Sequence, residues 1–245
     1  MEGKRDPYQG IALAMPQFFE IRSPFRGDNR GHPLLRLGLT GGIASGKSVV
    51  GEMFVQRGAH LIQSDAVARA LMDPGRPVYE EVVHRFGREI LNPDGSINRS
   101  RLAEAAFGKP GGPPPRVQEL NEIVHPAVIA HENEWMEEIG QRDPNAIAIV
   151  EAALILEAGA ASRFDRLIVV TCHPGQRILR FAHRLGISED AARAEVTRRM
   201  AAQMPDEEKI KAADFVIDNS GSLDATERQV QQVFAALRQG NKKLP

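Results

Sequence analysis

The sequence predicts an α/β fold, a mainly parallel sheet covered by helices on both faces. Three observations predict it. Short apolar runs alternate with stretches of helical period along the chain, as strand–helix–strand crossovers do. The runs at 146–150 and 166–171 are apolar almost throughout, the pattern of strands buried on both faces. The composition, 42% hydrophobic and 26% charged over 245 residues, supplies a full core for one domain of ordinary size with a small inserted subdomain.

The elements follow in order. The stretch 1–33 is broken by Pro7, Pro16, Pro24 and Pro33 and has one apolar patch, 11–15; it reads as a flexible extension. A strand at 35–40 leads through a glycine-rich turn into a helix over 47–57, and 59–63 is a second strand. Ser64 is placed to cap a helix over 65–72, which Asp73-Pro74-Gly75 stops. Helices are expected over 77–86, with Val78, Val82, Val83 and Phe86 on one face, and over 99–107, separated by the turn Asn92-Pro93-Asp94-Gly95. The stretch 109–116 is a proline-glycine linker. Helical period resumes at 117–124, and Pro126 is expected to end it and start a second helix carrying Trp135, Met136 and Ile139. Beyond the strands at 146–150 and 166–171 come helices at 174–185, 188–203 and 206–212, a last strand at 214–218 and a last helix at 223–239.

Composition narrows the function. Lys+Arg 31 against Asp+Glu 32 leaves a net charge of -1, which argues against a nucleic-acid surface driven by bulk charge. One cysteine excludes an intrachain disulfide and a multi-cysteine zinc site. No apolar run reaches the ~18 residues of a spanning helix, and no secretory leader is evident at the N-terminus. The expectation is a soluble cytoplasmic enzyme.

Gly41-Gly42-Ile43-Ala44-Ser45-Gly46-Lys47-Ser48 fits G-x-x-x-x-G-K-[ST] between an expected strand and helix. Gly41 and Gly46 allow the tight turn that aims backbone amides inward, and the helix N-terminus adds partial positive charge. Lys47 brings a mobile full charge to the outer phosphates, and the Ser48 hydroxyl is a hard oxygen ligand for magnesium. The ligand class is a nucleoside triphosphate. An Asn-Lys-x-Asp segment for guanine and a Leu-Ser-Gly-Gly-Gln signature are both absent from the sequence, which leaves a small kinase ahead of a GTPase switch or a transport motor.

Asp65 follows the second strand at the edge where ligands bind in such sheets. It is either the carboxylate that takes a proton from an alcohol nucleophile or a helix-start charge. Glu151, at the end of the 146–150 strand, is either a magnesium-side acid or a solvated one, and Glu157 follows it. Arg177, Arg180, Arg184, Arg193, Arg198 and Arg199 form either a solvated basic face or a lid whose guanidiniums neutralise the transferred group. Cys172 reads as a buried small residue.

From Leu35 to about Leu237 the chain resembles the dephospho-coenzyme A kinase family. The segments that carry the resemblance are the loop Leu39 to Ser48, Ser64-Asp65-Ala66-Val67-Ala68-Arg69, Asp94-Gly95-Ser96-Ile97-Asn98-Arg99, Leu120-Asn121-Glu122-Ile123-Val124-His125-Pro126, and Ala213-Asp214-Phe215-Val216-Ile217-Asp218-Asn219-Ser220-Gly221. The resemblance implies a three-layer P-loop kinase fold over 34–240, with a helical substrate subdomain at about 67–138, a lid at about 175–202 and a tail at 241–245. It implies transfer of the γ-phosphoryl group of ATP, with Mg2+, to the ribose 3′-hydroxyl of dephospho-coenzyme A. By motif position Asp65, Lys47 and Arg184 are the catalytic residues. The loop 41–48 with Asn219 and Gly221 takes the nucleotide; Asp65, Arg99 and His125 take the acceptor; Ser48 and Glu151 serve the metal. Neither nucleic acid nor membrane is implied.

The chain departs from the family pattern in three places. Gln63 stands where many members have the first acid of Asp-x-Asp, so Asp65 is the one carboxylate of that pair. Ala153-Leu154-Ile155 replaces Pro-Leu-Leu, with Glu151 upstream in place of an aspartate. Arg184-Leu185 replaces a frequent Arg-Asp. A related small-molecule kinase and a nucleotide-dependent binding module remain as alternative readings. The motifs around Asn98-Arg99 and Asn121 to Pro126 speak against the first; the missing acid keeps the second open.

Overall fold

The computed structural model describes residues 34–108 and 114–240. The extension expected at 1–33, part of the linker, 109–113, and the tail at 241–245 lie outside them. Five strands, β1 (Leu35–Gly41), β2 (His60–Gln63), β3 (Ile147–Glu151), β4 (Arg166–Thr171) and β5 (Phe215–Asp218), form one sheet in the order β2-β3-β1-β4-β5. β1 pairs in parallel with both β3 and β4, and β4 in parallel with β5. Every residue of β3 and β4 is buried, as their largely apolar sequences require. Nine helices are described: α1 (Lys47–Val55), α2 (Ser64–Leu71), α3 (Pro77–Phe86), α4 (Arg99–Phe107), α5 (Val117–Arg142), α6 (Pro174–Leu185), α7 (Glu189–Ala201), α8 (Asp206–Ala212) and α9 (Leu223–Gly240). The fold is the α/β class expected.

The sheet sorts its side chains by the period of two that strands impose. Leu35, Leu37 and Leu39 of β1 pack with Val50 and Phe54 of α1 and Val230, Val233 and Leu237 of α9. Gly38 lies on the opposite face, where an added Cβ would sit 2.9–3.1 Å from Phe164, Leu167 and Ile155. Register then aligns the strand ends. Leu39 pairs with Glu151, Gly41 with Val170, and Thr171 with Asp218, so the carboxyl ends of four parallel strands line one edge. That edge, with β1 between partners reached by connections on opposite sides, is where open α/β sheets bind ligands.

The chain divides into two compact units, one running Ile62–Gln141 and the other taking the described residues on either side of it. The inner unit has its own core, with Val67, Val82, Phe86, Leu102, Val124 and Val128 at its centre.

Two expectations are corrected. Pro126 does not break the helix: α5 runs unbroken through it for 26 residues. Proline costs that helix one amide donor, yet Val124, Val128, Glu132, Met136 and Ile139 keep one buried face in phase on both sides, and the packed face holds the turn together. Ser64 does not cap α2. It lies inside the helix, whose start has no side-chain cap, and its hydroxyl donates instead to Glu132 of α5 at 2.6 Å. Ser188 does cap α7, accepting from the Ala191 amide.

Candidate active site

The loop 41–48 leaves β1 at the ligand edge and winds into α1, with Gly46 at φ +93° as its left-handed N-cap. Lys47 reaches back over the loop, its Nζ donating to the carbonyls of Gly41 (3.0 Å) and Gly42 (3.2 Å). The Ser48 hydroxyl donates to Glu151 Oε1 at 2.8 Å, so the two metal-side candidates meet across 103 residues of chain. Glu151 is buried at the end of β3. A hydroxyl and a carboxylate side by side are hard oxygen donors that suit magnesium, which keeps several waters and needs few protein ligands. No group of three His, Cys, Asp or Glu that could hold a metal occurs among the described residues.

Behind the loop, Asn219 is buried and fully engaged. Its Nδ2 donates to Ser45 O at 2.9 Å, its Oδ1 accepts from Thr226 Oγ1 at 3.0 Å, and its amide donates to Thr171 O. Arg180 donates to Ser45 O (3.3 Å) and Asn219 O (2.8 Å). Gly46 has to be glycine here, because a Cβ would lie 2.0 Å from Asn219 Nδ2. Ile43 of the loop is buried with Ile178 and Phe181 of α6 and Val196 of α7, so an apolar cluster joins the α6–α7 pair to the loop. Cys172 is buried, and burial pushes its thiol above the ordinary range despite the nearby Arg177 and Arg180. A thiol so held is a packing residue and a poor nucleophile.

In the inner unit, Asp65 is exposed on the first turn of α2, where Arg69 Nε donates to its backbone carbonyl at 2.9 Å. A cavity of about 390 Å³ lies beside α2, lined by Arg69, Met72, Arg99, Leu102, Phe107 and Leu120 among others. Its apolar side chains share the lining with Arg69, Arg99 and the acid Asp73, a mixture usual for a small-molecule pocket.

A family model for dephospho-CoA kinase matches residues 35–225. The chain belongs to the dephospho-CoA kinase family. A dephospho-CoA kinase of Syntrophotalea carbinolica is 39% identical over 209 residues, covering 85% of this chain and 95% of that one. One from Thermosynechococcus vestitus is 40% identical over 210 residues, covering 85% and 98%. Among solved structures, a Thermus thermophilus protein is similar at TM-score 0.66 and 32% identity, covering 83% of this chain and 97% of that one.

For a kinase of this family, the other expected residues are distributed as follows. Arg99 begins α4 and lines the cavity. His125 is exposed on α5, outside the cavity lining. Gly221 is exposed just before α9, with an added Cβ only in ordinary contact with Ala225 at 3.4 Å. Arg184 is exposed at the end of α6, its guanidinium 5.3 Å from the centre of the Phe181 ring. Of the arginine run, Arg177 is not on a basic face at all: it is 1% exposed and paired with Asp206. Glu157 is no loose acid either, since it pairs with buried Lys209 at 2.8 Å. Sequence reasoning missed Asp206, Lys209 and Glu132. A charged residue within an otherwise apolar helical phase, as at Glu132, was the available signal.

Proposed function

We propose that this chain transfers the γ-phosphoryl group of ATP to the ribose 3′-hydroxyl of dephospho-CoA, giving CoA and ADP. The observation that carries the reading is the loop with Lys47 folded over its carbonyls and Ser48 bonded to Glu151, in a chain of this family. ATP lies with its phosphates in the amides of 41–48, and Lys47 turns from the loop carbonyls to the outer phosphates. Ser48, with Glu151 beside it, would hold Mg2+, which would supply positive charge against the phosphates. Asp65 accepts the proton of the 3′-hydroxyl as that oxygen attacks the γ-phosphorus; the bond from the γ-phosphorus to the bridging oxygen breaks, and ADP leaves with that oxygen. Asn219 fixes the back of the loop while the segment through Gly221 borders the base.

The helical subdomain expected at about 67–138, within the inner unit Ile62–Gln141, serves as the acceptor domain. Its cavity takes the acceptor's aliphatic arm against Met72 and Leu102, with Arg69 and Arg99 toward its phosphates, and His125 serves the acceptor side through α5. The stretch 175–202 acts as a lid that brings Arg184 to the transferred group. No helix among the described residues is long and apolar enough to cross a membrane, and the reaction's soluble substrates fit a cytoplasmic enzyme. The test is coupled turnover with dephospho-CoA beside adenosine and shikimate. The expected result is ADP release with dephospho-CoA alone; equal turnover with another alcohol, or ATP binding without turnover, contradicts the reading.

A further inference from the structure

We infer that Arg177 is a positioning residue for the phosphate loop, holding Gly42 in place through a buried ion pair with Asp206. The inference rests on the loop being the ATP site. Arg177 stands on the first turn of α6 and is 1% exposed. Its guanidinium touches three parts of the fold. Nε donates to the carbonyl of Cys172, just past β4, at 3.2 Å. Nη1 and Nη2 donate to the carboxylate of Asp206, which begins α8. Nη1 also lies against the loop itself, since a Cβ added to Gly42 would sit 2.2 Å from Nη1 and 3.2 Å from Asp206 Oδ1. Gly42 is therefore the point where a rigid planar cation meets loop backbone.

The carbonyl of Gly42 is in turn one of the two that hold Lys47. A shift of Gly42 moves the loop amides and the resting place of Lys47 together. Asp206 fixes the guanidinium from the other side, and it does not float: the same short helix carries Lys209, buried and paired with Glu157 at 2.8 Å. Glu157 also accepts from the Met204 amide. The α8 segment thus ties the loop to the chain that follows Glu151. With its charge matched by Asp206, Arg177 acts by shape and hydrogen bonding rather than by drawing in phosphate. A buried charge stripped of its partner is costly, so each half of the pair matters.

The experiment measures ATP binding by calorimetry with Mg2+, steady-state kinetics for both substrates, and melting temperature. The proteins are Arg177→Gln, Asp206→Asn and the double variant Arg177→Met/Asp206→Leu, which replaces the pair by apolar volume. The single variants are expected to weaken ATP about tenfold or more, about 1.4 kcal/mol, because the loop amides and the resting place of Lys47 shift together. KM for ATP rises and KM for dephospho-CoA holds. The double variant is expected to recover melting temperature while keeping the ATP defect. Folded single variants with unchanged ATP affinity overturn the inference, as does a double variant that recovers stability and ATP affinity together. If a single variant does not fold, the double variant decides. Hydrogen exchange on the parent with ATP and Mg2+ separates the two levels: if the amides of 41–48 are not protected, the loop is not the ATP site and the inference falls with that reading. If they are protected and the Arg177 variants bind ATP as the parent does, the inference about Arg177 alone fails.

Discussion

Single residues in this chain act through what they are bonded to. Glu132 is 1% exposed and accepts from the Ser64 hydroxyl, one residue before Asp65. The serine has given up the cap it could have made to hold that carboxylate, which fixes the turn carrying Asp65 to α5. Glu132→Ala removes a buried acceptor and leaves a void, so it is expected to lower stability by about 2 kcal/mol, read as a lower denaturant midpoint. Glu132→Gln keeps an acceptor oxygen and is expected to recover most of that loss. Equal midpoints for the parent and the Ala variant would show that the contact contributes nothing.

Elements are tuned by the same local chemistry. On α7, Arg198 foremost and then Arg199 hydrogen-bond to Glu195 and hold its carboxyl down from 4.5 to about 2. A carboxyl depressed in the folded state contributes stability that is present above its ordinary value and lost as pH falls through the depressed one. Hydrogen exchange should therefore show α7 amides opening more readily as pH falls from about 4.5 toward 2, after correction for intrinsic exchange. Glu195→Gln is expected to abolish that step. A step unchanged in the variant would assign it to other carboxyls. The pair is partly exposed and screened, so the effect belongs to α7 rather than to global unfolding. Helix α5 gives the complementary case: a proline at position 126 reads as a break in one dimension, and only the buried stripe from Val124 to Ile139 explains why 26 residues stay helical.

For the molecule as a whole, what the sequence makes legible is what is local in it. Strands β3 and β4 show as largely apolar runs, and the phosphate loop as eight consecutive residues in which Gly41, Gly46, Lys47 and Ser48 each have a chemical reason. The meeting of Ser48 with Glu151 follows from parallel topology, because register puts both strand ends at one edge. The pairing of Arg177 with Asp206, 29 residues apart, has no periodic signature: a buried arginine and an exposed one look alike in a basic run. The central claim is that the loop holds ATP while Asp65 activates the acceptor, and Asp65→Asn tests it most directly because it keeps size and hydrogen bonding but removes the proton acceptor. Turnover with dephospho-CoA and ATP binding by calorimetry are measured on the same protein. The account predicts that turnover falls about 10²–10⁴-fold while ATP affinity stays near that of the parent; a fall of less than about tenfold, or a collapse of ATP binding, would contradict it.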